Sequence, residues 1–292
     1  MNIAIIGVGL IGGSFALALR REFGDLRVIG IDSDPAAIDE AIRRGVIDES
    51  ASLDATAGCD LILIAVPVRQ TPAVLAGIAP HLKPSTVVTD VGSTKQDVIS
   101  AGRTSLGNKI SQFVPGHPIA GREHAGVSAA ASELFEGKNM VLTPMSENTE
   151  ESIERVRSLW RACGAKVVEM SAETHDAVFA AVSHLPHLLA FALVDELAAR
   201  PNAKTLFSFA ASGFRDFTRI AGSSPEMWRD IALNNRDALL CELGAYEAHI
   251  VELKRALESG DGDILEAMMA RAKHARERWM AGELDGFRDE TA

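Results

Sequence analysis

The chain begins MNIAIIGVGLIGGSFALALRREFGDLRVIGID, and these first 32 residues decide the fold of its first half. A short apolar run, Ile3 to Ile6, predicts a buried strand. The run leads into Gly7-Val8-Gly9-Leu10-Ile11-Gly12, which opens a predicted helix. A second apolar strand ends at Asp32, about 20 residues after the last glycine, which is the spacing of the dinucleotide-binding fingerprint.

Each position of this loop has a physical role in holding a dinucleotide. Gly7 permits a tight turn, Gly9 lets the backbone approach the pyrophosphate, and Gly12 allows the helix to pack closely on the strand. Free N–H groups and the helix dipole favour an anion at the start of that helix. We therefore predict cofactor contacts at Gly7, Gly9, Leu10, Ile11, Gly12, Asp32, Val66 and Pro67.

The acid at position 32 favours NAD over NADP. The Asp32 carboxylate can accept hydrogen bonds from both ribose hydroxyls, and it repels a 2′-phosphate. Ser33 and nearby basic residues leave NADP possible. The alternative interpretation of the loop is a glycine turn in an α/β protein that binds no nucleotide.

Composition limits the functional class. The 292 residues suffice for two domains of ordinary size, and the net charge of −11 argues against a nucleic-acid partner or an anionic membrane. The three cysteines (Cys59, Cys163 and Cys241) are widely spaced, which predicts neither a metal site nor disulfides and suits a reducing compartment. We expect no signal peptide and no membrane-spanning stretch, and hence a cytoplasmic protein.

The first half of the chain alternates short apolar runs with helical patterns. The alternation, whose last predicted strands are residues 141–143 and 166–170, indicates a mostly parallel sheet covered on both faces. Functional loops of such sheets lie at the carboxyl ends of the strands. Three predicted strand tails fall there: Val66-Pro67, Val91-Gly92-Ser93 and Pro115-Gly116-His117.

The second half shows only helical patterns. From about Ala172 the strand signal disappears, and a long helix is predicted over residues 180–200. Residues 185–197 are apolar around most of the circumference, which predicts burial within the domain or between subunits. We predict an α/β fold with a Rossmann-type domain over residues 1–170 and an all-helical substrate and dimerisation domain over residues 171–292.

Three histidines are candidates for chemistry. His117 follows a strand at the edge where a nicotinamide would lie, and a histidine there can take a hydroxyl proton while hydride leaves the same carbon. The alternative is a loop histidine bonded to backbone. His184 and His187 share one helix face, but no HExxH or CxxC pattern supplies a third metal ligand. We predict no metal and favour substrate hydrogen bonding for this pair.

Two arginines lie four residues apart among apolar neighbours. Arg215 and Arg219 are either solvated surface charges or ligands for an anion. A substrate carboxylate would satisfy a partly buried guanidinium through two parallel hydrogen bonds.

Five motifs, in this order and spacing, carry a specific resemblance: GVGLIGGS, DVGSTK, GHPIAGRE, SHLPH and GFRDFTRIAGSSPEMWRDI. The chain resembles the prephenate/arogenate (cyclohexadienyl) dehydrogenase family of tyrosine biosynthesis, from the first strand to about Asp230. The resemblance implies an N-terminal Rossmann-type domain and a C-terminal helical dimerisation domain, hence a homodimer. It also implies oxidative decarboxylation of prephenate or arogenate with reduction of NAD or NADP.

The resemblance also implies roles for residues of this chain. His117 would be the catalytic base that accepts the ring-hydroxyl proton, with Ser93 beside it. The implied substrate-site positions are Arg219 for a carboxylate, His187 and His184 for the substrate side chain, and Glu123 and Asp216 for shaping the entrance and positioning the arginine. His175, Thr218 and Trp228 lie in matching motifs and are expected to support the site.

Substrate preference is a separate hypothesis. Arg122 follows His117 in the same loop, and an extra cation there would favour the ketoacid prephenate over the amino acid arogenate. The alternatives are an arogenate-specific or NADP-using member, or a different small-molecule dehydrogenase with a helical second domain. An NAD-sensing protein without turnover would have no need of Ser93, His117 and Arg219 together.

Overall fold

The structure is a computed structural model that describes residues 1–122 and 124–284. The chain divides into two compact units, Met1–Leu239 and a second that begins at Leu240. The strands are β1 (Asn2–Ile6), β2 (Arg27–Ile31), β3 (Glu49–Ser50), β4 (Leu61–Ile64), β5 (Val87–Asp90), β6 (Phe113–Val114), β7 (Gly116–Pro118), β8 (Asn139–Leu142) and β9 (Lys166–Glu169).

Helices connect the strands and make up the C-terminal part of the described chain. The α-helices are α1 (Leu10–Glu22), α2 (Pro35–Arg43), α3 (Thr71–Ile78), α4 (Gln96–Leu106), α5 (Glu150–Ala162), α6 (Ala172–Phe179), α7 (Leu185–Ala198), α8 (Ala203–Ser208), α9 (Ser212–Thr218), α10 (Pro225–Asn234), α11 (Arg236–Ser259) and α12 (Gly262–Ala281). A π-helical segment covers Ala180–His184, and short 3₁₀ segments cover Leu53–Gly58, Val68–Gln70, Ala79–His81, Gly107–Gln112, Val127–Ala129 and Arg219–Gly222.

The main sheet has six parallel strands in the order β3-β2-β1-β4-β5-β6. Ile3 of the central strand pairs with Val28 on one side and Leu61 on the other. The order changes direction beside β1, which places a topological switch point at the carboxyl ends of β1 and β4. This sheet, followed by helices, confirms the predicted fold class.

Alternate residues of each strand enter two separate cores, because successive side chains point to opposite faces of a sheet. Ile3 and Ile5 pack into the core that holds Phe15 of α1 and Trp160 of α5. The intervening Ala4, with Ile6, packs into the other core, which α3 and α4 cover. Both faces of the sheet are therefore covered. In folds of this kind, ligands bind at the carboxyl ends of the strands.

A second, three-stranded sheet corrects the predicted arrangement. The strands expected near residues 141–143 and 166–170 are β8 and β9, but they do not join the main sheet. β8 pairs with β9 on one side and, on the other, with β7, a segment predicted to be loop, in which His117 lies opposite Val141. Pro115 explains the break, since a proline has no N–H for the sheet and β6 ends immediately before it.

The helix that was expected to start near residue 180 starts eight residues earlier in the structure. Ser171 caps α6 by accepting a hydrogen bond from the Thr174 N–H at 3.1 Å. The helix then widens into the π-helical segment and continues as α7. Pro186 at the start of α7 accounts for the widening, because it cannot donate to the carbonyl four residues before it.

The expectation that no stretch of the chain has membrane-spanning length is wrong on length and composition. The continuous helix Ala172–Ala198 has 27 residues, with a mean hydropathy of 1.9 over its most apolar window. A core helix of a soluble protein passes the same test, and His175, Asp176 and His184 of this helix are buried against other parts of the first unit. Only Leu185 and Ala190 of α7 are buried within the single chain, so burial of its remaining apolar face between subunits stays a prediction.

The second unit comprises most of α11, together with α12. Asp261 caps α12 through its Oδ1, which accepts the Ile264 N–H at 3.0 Å, and Gly282 ends the helix with a φ of 76°. Among the described residues of this unit, large apolar side chains including Met269 and Trp279 are exposed. The boundary predicted at residue 170 lies inside the first unit and stays a prediction.

Candidate active site

The glycine loop between β1 and α1 has the geometry that its spacing predicts. Gly7 has a φ of +94°, and a Cβ there would lie 2.4 Å from the Ala65 carbonyl oxygen. A Cβ at Gly12 would lie 2.3 Å from the Gly7 carbonyl oxygen, so both positions require glycine. A Cβ at Gly9 would meet nothing within 4 Å, and no side chain caps α1. The loop thus leaves open space, a cradle, beside the uncapped first turn of α1, whose N–H groups suit a pyrophosphate.

Asp32 follows β2 and closes the cradle. Its Oδ2 accepts the Val8 N–H at 2.7 Å and its Oδ1 accepts the Asp34 N–H at 2.9 Å. The carboxylate is therefore fixed beside the glycine loop and is only partly buried. The other predicted cofactor positions lie at the same edge of the sheet, in the first turn of α1 (Leu10 and Ile11) and directly after β4 (Val66 and Pro67).

A buried ion pair organises the next strand tails. Asp90 at the end of β5 is 1% exposed and Lys95 is fully buried. The Lys95 ammonium donates to Asp90 Oδ2 at 2.5 Å and to the Gly116 carbonyl at 2.8 Å. The two Asp90 oxygens also accept the Gly92 N–H at 2.8 Å and the Gly116 N–H at 3.0 Å. Each charge is thus balanced by its partner and by further hydrogen bonds, as buried ions require.

This ion pair brings together the two predicted catalytic positions. Gly92 immediately precedes Ser93, and Gly116 immediately precedes His117. Because one carboxylate bonds both glycine N–H groups, the tail of β5 and the start of β7 are held side by side at the carboxyl edge. Ser93 and His117 both remain partly exposed there.

His117 begins a chain of buried side chains. Its Nδ1 lies 2.9 Å from Nε2 of His175, and Nδ1 of His175 lies 2.8 Å from Oδ1 of Asp176. Asp176 also accepts the backbone N–H groups of Lys95 at 2.9 Å and Gln96 at 3.0 Å. His175 and Asp176 are at most 1% exposed. The sequence motifs gave His175 only a supporting role and did not single out Asp176.

The surroundings keep both histidines of this chain neutral and the acid ionised. Burial lowers the pKa of His117 well below its usual value, and the neighbouring His175 adds to the effect. Burial also lowers the pKa of His175, although its hydrogen bond to Asp176 opposes this. Burial alone would raise the pKa of Asp176, but its hydrogen bonds from His175 and from two backbone N–H groups outweigh burial and lower it. A neutral His117 can accept a proton.

His184 extends the polar cluster. The Asn235 side-chain amide donates to the Asp176 carbonyl at 2.8 Å and lies 3.0 Å from Nδ1 of His184. Burial lowers the pKa of His184 to about 4, so the ring is neutral. The geometry makes Nδ1 the acceptor and leaves the proton on Nε2. This Nε2 and Nε1 of Trp228 are buried without a hydrogen-bond partner among the described residues, which suits them to a polar ligand.

His187 stacks on Trp228 and lies near Arg219. The two rings are 3.7 Å apart between centroids at an interplanar angle of 19°, and Nδ1 of His187 bonds the Ser183 carbonyl at 2.8 Å. Burial lowers the pKa of His187 and the charge of Arg219 adds to this, although the hydrogen bond to the Ser183 carbonyl opposes it. Arg219 itself is exposed at the end of α9.

Three predicted substrate residues are less closely tied to this cluster. Arg122 is exposed, and it bonds Glu133 at 3.1 Å and the Ala129 carbonyl at 3.4 Å. Asp216 is exposed on α9, and Glu123 lies outside the described residues. Among the described residues, no group of three or more histidine, cysteine or acidic side chains is placed to hold a metal ion.

The fold and this cluster define a class: a Rossmann-type oxidoreductase with a nucleotide cradle and a neutral histidine at one edge of a parallel sheet. Two family models together match most of the chain. The nucleotide-binding domain of prephenate dehydrogenase matches residues 15–169, and its dimerization domain matches residues 171–271. The chain belongs to the prephenate dehydrogenase family.

Individual relatives agree. A prephenate dehydrogenase from Bacillus subtilis is 40% identical over 94% of this chain and 75% of its own length. A cyclohexadienyl dehydrogenase from Zymomonas mobilis is 37% identical over 94% of both chains. The crystal structure of prephenate dehydrogenase from Aquifex aeolicus, solved with hydroxyphenyl propionate and NAD+, superposes with a TM-score of 0.88 and 36% identity, covering 95% of this chain and 98% of that one.

Proposed function

We propose that this protein is an NAD-dependent dehydrogenase that oxidises and decarboxylates prephenate to 4-hydroxyphenylpyruvate, and that it also accepts arogenate, yielding tyrosine. The observation that carries the proposal is the neutral His117, bonded through Nδ1 to His175 at the same sheet edge as the glycine cradle. The protein's membership of the prephenate dehydrogenase family supports prephenate or arogenate as the class of substrate. The relative named cyclohexadienyl dehydrogenase supports a site that takes either substrate.

His117 acts as the general base in this mechanism. Its Nε2 takes the proton of the hydroxyl on C4 of the substrate ring. When bound, NAD supplies the acceptor for the hydrogen and the electron pair that leave C4. The bond from C1 to its carboxylate breaks, CO2 leaves, and the released electron pair makes the ring aromatic. His117 then returns its proton to the phenolate oxygen, so the reaction neither consumes nor releases a proton overall.

Aromatisation makes the decarboxylation strongly favourable, so the protein mainly has to orient the reactants. We assign this task to Ser93 at the hydroxyl and to Arg219 at a substrate carboxylate. The cation of Arg219 matters because the chain carries a net charge of −11, which repels an anionic substrate. His187, and His184 through its unpartnered Nε2–H, are proposed to bond the substrate side chain.

Discrimination between the two substrates is proposed to involve Arg122. This guanidinium is already paired with Glu133 at the surface, so contact with a substrate would require it to exchange partners. Glu123 and Asp216 are proposed to shape the entrance to the same site, as the resemblance implies.

We further propose that the protein is a cytoplasmic homodimer assembled through its helical part, with the domain boundary near residue 170. The match to a dimerization domain over residues 171–271 supports this, as do half-buried apolar side chains on α7 and exposed ones on α11 and α12. Light scattering coupled to size exclusion should give twice the mass of one chain. A monomer at micromolar concentration would contradict the assembly.

Turnover with defined substrates tests the proposed function. Purified protein is given prephenate or arogenate, each with NAD or NADP, and formation of reduced cofactor is followed by absorbance. We expect turnover with prephenate and NAD, weaker use of NADP, and 4-hydroxyphenylpyruvate as the product. Binding of NAD without turnover of either substrate would overturn the proposal and favour an NAD-sensing role.

A further inference from the structure

Hydrogen-bonding rules fix which atom donates and which accepts along the series of side chains His117, His175 and Asp176. Asp176 accepts two backbone N–H groups besides His175, which identifies it as an ionised acceptor. Nδ1 of His175 must then carry a proton and donate it to this carboxylate. A neutral His175 has only one ring proton, so its Nε2 is an acceptor.

The same rule applied one step further sets the state of His117. Because Nε2 of His175 accepts, Nδ1 of His117 must be the donor across the 2.9 Å contact. The remaining nitrogen of His117, Nε2, then has a free lone pair. A general base needs this lone pair, and the opposite tautomer of His117 would present a proton instead.

We propose that His175 and Asp176 are positioning residues that hold His117 in its Nδ1–H tautomer and take up part of the positive charge when its Nε2 accepts the substrate proton. The inference deepens the proposed function and rests on it for its kinetic consequences. The tautomer itself is a property of the free protein, and it can be tested without any substrate.

The proton count balances along the chain. When Nε2 of His117 gains the hydroxyl proton, the Nδ1–H bond to His175 strengthens and the charge spreads over two imidazoles that face one carboxylate. No proton has to leave the protein, since His117 returns its proton to the phenolate oxygen.

A purely structural role explains Asp176 better than it explains His175. Asp176 satisfies two N–H groups at the start of α4, an end that no other side chain caps, and it would be retained for that reason alone. His175 satisfies no backbone group: both of its ring nitrogens serve the link between His117 and Asp176. Replacing His175 alone by an apolar side chain would leave Nδ1 of His117 without an acceptor, so its ring serves the link itself.

The first test is the tautomer. Nitrogen NMR of protein labelled with ¹⁵N-histidine, at neutral pH and without cofactor or substrate, distinguishes protonated from unprotonated ring nitrogens. Single His117→Asn and His175→Gln variants assign the signals. We expect a proton on Nδ1 and none on Nε2 for both His117 and His175. A proton on Nε2 of His117 would overturn the proposal whether or not the protein turns over prephenate.

The second test distinguishes two roles of His175: holding the His117 ring in its tautomer and sharing the positive charge of that ring. His175→Gln can still accept from His117 through its amide oxygen but cannot share charge, whereas His175→Phe does neither. With prephenate, we expect kcat to fall about a hundredfold for Phe and about tenfold for Gln, with KM within about threefold of wild type, because the loss is one of general-base catalysis. The exposed His249→Gln is the matched control and should leave kcat unchanged.

The same two variants distinguish a positioning role of His175 from a purely structural one. A Phe variant that keeps the wild-type Tm and wild-type kcat would overturn the inference, as would Gln and Phe losing kcat equally while the His117 tautomer is unchanged. Absence of turnover in the wild-type protein would instead refute the proposed function and leave the NMR result to decide the tautomer.

Discussion

The glycine loop and the histidine chain meet at one edge of the same sheet, but they are built in opposite ways. The loop spans residues 7–12, acts through its backbone, and needs side chains to be absent. The histidine chain joins His117 to His175, 58 residues later, and acts only through side chains. Local chain geometry therefore determines the first site, whereas the second exists only after the tertiary structure has formed.

The two regions should consequently fail in different ways. Added atoms break the loop, because a Cβ at Gly7 or Gly12 would collide with backbone. Removed atoms break the histidine chain, since each deletion leaves a buried polar partner unsatisfied, at a cost of about 1–3 kcal/mol. The predictions below test this contrast, from the largest expected effect to the smallest.

Replacing the base should have the largest effect on activity. We expect His117→Asn to lower kcat with prephenate by about 10²- to 10⁴-fold, the contribution typical of a general base. Calorimetric binding of NAD should stay near wild type, because the cradle is untouched. The exposed His274→Asn serves as control. Near-normal kcat in the His117 variant would remove this residue from the proposed mechanism.

Gly7→Ala should lower the stability of the folded protein. The added Cβ would lie 2.4 Å from the Ala65 carbonyl oxygen at a φ of +94°, so we expect a loss of about 1–3 kcal/mol or more in unfolding free energy. Urea denaturation measures this loss. Gly24→Ala is the matched control, since its Cβ would meet nothing within 4 Å, and an equal loss there would contradict the steric argument.

Gly9→Ala separates binding from folding. Open space surrounds this position, so the Tm should stay within about 2 °C of wild type. The methyl group would nevertheless occupy the cradle, and we expect the Kd for NAD to rise about tenfold, which corresponds to 1.4 kcal/mol. Unchanged NAD affinity, measured by calorimetry, would show that the pyrophosphate does not lie against Gly9.

The pH profile should reflect the low pKa of the base. Three groups set the environment of His117: His175 on α6, His184 on the π-helical segment, and Lys95 before α4. Burial and these neighbours lower its pKa, and the base works only when neutral. We therefore expect kcat/KM for prephenate to hold constant as pH falls through the usual histidine pKa of about 6.5, and to decline only below it. A decline centred at or above that value would contradict a lowered pKa for His117.

Arg122→Ala should have the smallest effect. If this cation favours the ketoacid, the ratio of kcat/KM for prephenate to that for arogenate should fall about two- to fivefold, the range of a partly solvated charge pair of about 0.5–1 kcal/mol. Glu133→Gln frees the same guanidinium and should move the ratio in the opposite direction. An unchanged ratio in Arg122→Ala would end the specificity hypothesis.

The same contrast explains what could be predicted from sequence. The parallel sheet, the cradle and Asp32 follow local rules of spacing and periodicity, and the structure confirms the predicted fold class. The position of β7 could not be predicted, because three residues carry no strand periodicity and their partner β8 lies more than 20 residues away. Pro115 was the available signal that the main sheet ends there.

The site residues also fall into two groups: those that local sequence could indicate and those whose roles depend on tertiary packing. His117 could be proposed because it follows a strand at the correct edge. The buried pair of Asp90 with Lys95, and the acid at position 176, could not be given their roles, because a charged residue in a sequence is usually solvated and only packing shows otherwise. The wider π-helical turn had a visible cause in Pro186, but its effect on His184 and His187 depends on contacts with Asn235 and Trp228.

The most direct test of the central claim is the stoichiometry of a single reaction. Purified protein is incubated with prephenate and excess NAD, and NADH, CO2 and 4-hydroxyphenylpyruvate are quantified in the same sample. The account predicts that the three products appear in equal amounts and that none forms with His117→Asn above the uncatalysed rate. NADH without matching CO2, or equal products from the His117 variant, would contradict it.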